Sequence, residues 1–184
     1  VQFLPIIIYT RIFAQNHWRI GGYMPDLIIR CINSKDIVGN LIDFFSAGYL
    51  DHIEFGEPDG RWTGARAEGG VQTRAANYCK PALELVYAIS VPQWQYDAIM
   101  NFVHAQIGKP YDFSDIGGIL FHNNWHNVDK WICSELVTAG CDIGQFYLLN
   151  VLPGFTHRIT PKEVHLSPKL RGHLVKRYPE LKVA

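Results

Sequence analysis

The chain has 184 residues, the size of one ordinary domain. Hydrophobic residues make up 48% and charged residues 18%, which supplies a sizeable core and excludes general disorder. Lysine plus arginine is 17 and aspartate plus glutamate is 17, so no net positive charge recommends the chain as a general nucleic-acid binder. Cys31, Cys79, Cys133 and Cys141 are too scattered for a disulfide scaffold and contain no Cys-x-x-C pair. No apolar run approaches the roughly 20 residues of a transmembrane helix.

Residues 1–23 resist assignment. Phe3 to Phe13 are apolar and aromatic, but Pro5 and Arg11 break the run. The basic start and small-residue cleavage site of a secretory signal are missing. Met24-Pro25-Asp26 reads as a natural beginning. The expectation is therefore an N-terminal arm or non-native extension at 1–23 and a single domain at 24–184.

Leu27 to Ile32 reads as a buried strand. Asn33-Ser34 then offers a cap for a helix carrying Ile37, Leu41, Ile42, Phe44 and Phe45, with Gly48 as its stop. Asp51 to Phe55 alternates as a strand, with His52 and Glu54 on one face and Ile53 and Phe55 on the other. Pro58-Asp59-Gly60 marks a turn, and Arg61 to Ala67 pairs back. Glu68 and Gly69-Gly70 follow, and Leu83 to Val91 is another apolar strand. Pro92 opens a helix whose buried stripe is predicted to be Trp94, Ile99, Phe102, Val103 and Ile107.

Gly108 to Phe113 is a loop, Ser114 or Asp115 caps a short segment, and His122 to Asn127 is polar and irregular. Ser134 to Gly140 is predicted to be helical, with Gly140 as its stop. Thr160-Pro161-Lys162-Glu163 reads as a capped helical turn. Lys169, Arg171, Lys176 and Arg177 form a local basic run, read either as a patch or as a solvated helix face. The whole is an α+β layout with a central antiparallel sheet packed against helices.

Cys133 stands where an apolar approach meets a helix. A thiol there feels unpaired N–H groups and the positive end of the macrodipole, both of which favour a nucleophilic thiolate. The same N–H groups suit an oxyanion. The plainer reading is a small buried thiol filling core space. His122 and His126, with Cys133 or Cys141, offer a rival metal site, weakened by the poor helix former Asn-Asn-Trp between them. His157 and His165 follow the cysteine but sit on no evident strand.

One ordered set of short motifs carries more. It runs His52-Ile53-Glu54-Phe55, Ala67-Glu68-Gly69-Gly70-Val71, Gly108-Lys109-Pro110-Tyr111, Cys133-Ser134-Glu135-Leu136-Val137 and Thr160-Pro161. In this order it resembles a papain-like cysteine hydrolase of the NlpC-type cell-wall peptidase superfamily, in the circularly permuted branch where the histidine strand precedes the cysteine helix. The likeness spans Asp26 to Pro168. It implies a papain-like fold with Cys133 as nucleophile and His52 as base. It implies Glu68 as the carboxylate that orients the histidine, and Tyr111 and Ser134 beside the substrate or oxyanion. Gly117-Gly118 resembles the glycine pair that follows the tyrosine. The chain departs from the pattern at His52-Ile-Glu, where His-Val-Gly is usual, so Glu54 competes with Glu68. The polar insert Asn123 to Asp129 is a second departure.

The resemblance implies cleavage of an amide or isopeptide bond in peptidoglycan stem peptides, with no cofactor and no metal. Other acyl, ester or lipid-linked substrates occur among permuted relatives. Trp62, Trp125 and Trp131 suit either a substrate groove or the core. With no export signal visible, delivery on a phage tail or virion, among other virion proteins, is the expected route to a bacterial envelope. The alternative is a virion structural or binding module in which Cys133 is inert.

Overall fold

A computed structural model describes residues 24–34, 49–113, 129–149 and 159–179. The predicted helix around Ile37 to Phe45, the segment after Ser114, His122, His126, Trp125, His157 and residues 1–23 lie outside them.

The described strands form one antiparallel, open six-stranded sheet. They are β1 (Asp26–Asn33), β2 (His52–Gly56), β3 (Trp62–Arg66), β4 (Gly70–Arg74), β5 (Leu83–Ser90) and β6 (Leu174–Tyr178), in the order β4-β3-β2-β1-β5-β6. Among the described residues three helices accompany them: α1 (Gln93–Ala105), α2 (Cys133–Ile143) and α3 (Pro161–His165). The class is mixed α and β. Among the described residues no helix is long and apolar enough to cross a membrane.

Strand alternation sorts the side chains. Leu27, Ile29 and Cys31 of β1, Ile53 and Phe55 of β2, and Leu85, Tyr87 and Ile89 of β5 join one core with Ile99 and Val103 of α1 and Val137 and Cys141 of α2. Ile28, Trp62 and Val86 form a smaller cluster covered in part by Tyr78. The centre of the sheet is therefore buried on both faces. That explains why β1 reads as a continuous apolar run rather than an alternating one.

Helices α1 and α2 approach closely at two glycines. A Cβ on Gly140 would sit 3.0 Å from Val103, and one on Gly144 would sit 2.5 Å from Ile99. Gly140 thus serves packing and does not stop the helix. Helix α2 continues to Ile143, and Gly144 caps it. The stripe of α1 is also narrower than predicted. Ile99, Met100 and Val103 are buried, but Trp94 and Ile107 are 55% and 46% exposed: helical spacing puts Trp94 opposite the Ile99–Val103 face that meets α2, and Ile107 lies past the end of the helix.

Two strands escape the sequence reading. Strand β4 pairs with β3 across the 67–69 turn, with Arg66 opposite Gly70. The basic run near the C-terminus includes an edge strand, β6, paired with β5, and not a helix face. The turn at Thr160 is a capping box, with its hydroxyl accepting from the Glu163 N–H and the Glu163 carboxylate accepting from the Thr160 N–H.

Candidate active site

Cys133 is the first residue of α2. Ile132 before it is extended and, being apolar, gives the first turn no side-chain cap. The N–H groups of a first helical turn have no intrahelical acceptor, the kind of donor an oxyanion takes. The sulfur lies 3.9 Å from the carbonyl oxygen of Asp51. That contact brings α2 to the start of β2, and His52 is the next residue. The β2–β3 ladder runs at Phe55–Thr63 and Gly56–Trp62, so β3 pairs with the end of β2 away from His52.

His52 Nε2 lies 3.1 Å from the Glu54 Oε2, and Cys133, whose sulfur meets the carbonyl of the preceding residue Asp51, is close enough to act on the imidazole. Burial opposes a charge on this imidazole. The bonds to Cys133 and Glu54 and the charges beside it outweigh that penalty and raise His52 to about 9. Glu54 is fully buried, which pushes its carboxyl up. His52, Arg30 and the Tyr78 hydroxyl outweigh the burial and hold it down at about 2.

The carboxylate that meets His52 is therefore Glu54, and the expectation for Glu68 is corrected. Glu68 lies in the turn before β4, its side chain 72% exposed and 3.7 Å from the Arg66 guanidinium. A strand explains the choice. Residues two apart share a face and a local reach, whereas the three-residue turn at 67–69 carries Glu68 out to solvent.

The other predicted site residues support the centre from outside. Ser134 is buried, and its hydroxyl donates to the Ile159 carbonyl, so only its backbone N–H remains for an oxyanion. Tyr111 packs with Ala65, Val71, Ile132 and Leu136, and it bridges to Trp131 in the approach to α2. Two of the sequence motifs meet here. The Val71 N–H donates to the Lys109 carbonyl at 2.9 Å, and Gly108 donates back to Val71 at 2.9 Å. Gly70, at φ +66°, makes this possible, because a Cβ there would overlap the Lys109 carbonyl. Trp62 is fully buried under Arg30, and Trp131 donates to Gln106. His165 pairs through Nδ1 with the Tyr87 hydroxyl.

Sequence reasoning missed Arg30 and Tyr78. Arg30 Nη1 donates to Glu54 at 2.8 Å, and the Tyr78 hydroxyl lies 3.0 and 2.9 Å from its two oxygens. An arginine inside the apolar run of β1 was the available signal. A thiol, an imidazole and a carboxylate in series at a helix N-terminus can form a nucleophile, move a proton and hold an oxyanion. No protein-family model matches the chain, and no curated protein sequence does.

Proposed function

We propose that the protein is a cysteine hydrolase of papain-like, circularly permuted design, with Cys133 as nucleophile, His52 as general base and acid, and Glu54 as the orienting carboxylate. The observation that carries the reading is the convergence of Cys133, at the uncapped start of α2 and against the Asp51 carbonyl, on His52, whose Nε2 meets Glu54. In the reaction the Cys133 sulfur attacks the carbonyl carbon of an amide. The first-turn N–H groups receive the oxyanion, and His52 gives its proton to the leaving amine. Water then attacks the thioester with His52 as base, releasing the acid and restoring the thiol.

The preferred substrate is the amide or isopeptide bond of peptidoglycan stem peptides, following the resemblance in the motifs. Delivery on a phage tail or virion belongs to the same proposal. The test is mass spectrometry of purified peptidoglycan after incubation with wild type and with Cys133→Ala. Stem-peptide fragments from wild type alone support the reading and name the bond. Equal products from both remove Cys133 as nucleophile. No products from either, across several wall chemistries, overturn the wall substrate.

One observation favours a second reading. Cys133 and His52 are only 2% and 5% exposed, as an inert core thiol and a satisfied polar partner would be. A structural or binding module is that alternative, and thiol reactivity separates the two.

A further inference from the structure

We propose that Arg30 is a positioning residue: its guanidinium, clamped between Glu54 and Glu84, holds the Glu54 carboxylate in the orientation that binds His52. The inference rests on the catalytic reading above and deepens it.

Arg30 sits mid-strand in β1, at the centre of the sheet, and is 2% exposed. A cation so placed needs strong partners to offset its lost hydration. It has two. Nη1 donates to Glu54 Oε1 at 2.8 Å, and Nε donates to Glu84 Oε1 at 2.7 Å. Register places Arg30 directly opposite Glu54, while Glu84 lies diagonally across on β5, opposite Ile32. The other oxygen of Glu84 takes the Lys176 ammonium of β6 at 2.5 Å. The guanidinium also stacks 4.7 Å over the Trp62 ring, which blocks its departure from that side. The result is a row of alternating charge from His52 through Glu54, Arg30 and Glu84 to Lys176, crossing four adjacent strands.

The geometry divides the work on Glu54. Oε1 belongs to Arg30 and Oε2 to His52. The Tyr78 hydroxyl, itself bonded by Arg66 Nη1 at 3.1 Å, donates to the same carboxylate. Rotation of the carboxylate would break both assignments. Without Arg30, a carboxylate this buried would take up a proton or turn away, and the imidazole would lose its acceptor. Lysine is no substitute, because one ammonium lacks the planar fork that reaches two carboxylates at once. The groups electrostatically near His52 are Glu54 from its own strand and Cys133 from α2. Those near Glu54 are His52, Arg30 and Cys31 from β1, Arg74 from β4, and Tyr78 and Cys79 from the loop before β5.

The test uses the whole chain with isotope-labelled histidine, and Arg30→Lys as the variant. His52 is assigned by comparison with His52→Ala, and its titration midpoint is read by NMR. In folded Arg30→Lys the midpoint falls by at least about one unit toward the ordinary value, as the loss of a nearby carboxylate requires. Where wild type hydrolyses substrate, kcat falls roughly 10–100-fold, the usual effect of removing a supporting shell, while KM holds. An unchanged midpoint and an unchanged kcat overturn the proposal. Should Arg30→Lys fail to fold, the double variant Arg30→Met/Glu84→Met replaces the buried pair by apolar side chains and faces the same two readings. A wild type without hydrolysis defeats the catalytic reading alone, since the His52 midpoint still decides the clamp.

Discussion

His52 is pulled in two directions. Burial disfavours its charge, and the bonds to Cys133 and Glu54 favour it, with the balance on the charged side up to about 9. Two predictions follow the sign of that shift. A group with a raised folded pKa contributes stability below its unfolded value, near 6.5, and loses it as pH rises through about 9. The stability gap between wild type and His52→Gln, read by urea unfolding, is therefore largest near pH 6 and shrinks above pH 9. For Glu54 the sign reverses: its contribution is present above about 4.5 and is lost as pH falls through about 2. In the proposed reaction Glu54→Gln, in protein that still folds, mis-sets the imidazole and lowers kcat by about 10²–10⁴. Glu68→Gln, on an exposed turn, changes kcat by less than about twofold. Steady-state kinetics on the two variants decides between the carboxylates. The preference for Glu54 was legible in part, since strand alternation already placed it on the face of His52. What hid it was the pull of the family pattern toward the neighbouring strand.

At the scale of elements, the centre depends on how α2 is delivered to β2. The 108–111 loop ties the approach to α2 onto the edge of β4, through the Lys109 carbonyl and the Tyr111–Trp131 bridge. Gly70 is the joint, with a positive φ and no room for a Cβ. Gly70→Ala is predicted to cost about 1–3 kcal/mol in urea unfolding. A substitution costing nothing there would show that this joint is not needed. Most elements could be read from period and punctuation: β1 and β5 from apolar runs, β2 from its alternation, α1 from its proline, α3 from its capping box. Strand β6 could not, because Leu174 to Tyr178 present no buried face and their polar pattern fits a solvated helix equally well. The length of α2 was misread because a glycine that permits helix packing is indistinguishable in sequence from one that ends a helix.

For the whole molecule, the central claim is that Cys133 is activated by its surroundings and is not a filler of the core. Exposure alone argues the opposite order of reactivity. Cys79 is the partly exposed thiol, while Cys31, Cys133 and Cys141 are buried. Burial pushes the Cys79 thiol up, which slows it without hiding it. The most direct measurement is a timed reaction of the native protein with limiting iodoacetamide near pH 7, followed by peptide mapping of all four cysteines, in wild type and His52→Ala. The account predicts that Cys133 is labelled ahead of Cys79 in wild type and loses that lead in His52→Ala. Labelling of Cys79 first in both proteins, with Cys133 reacting only on unfolding, would contradict it.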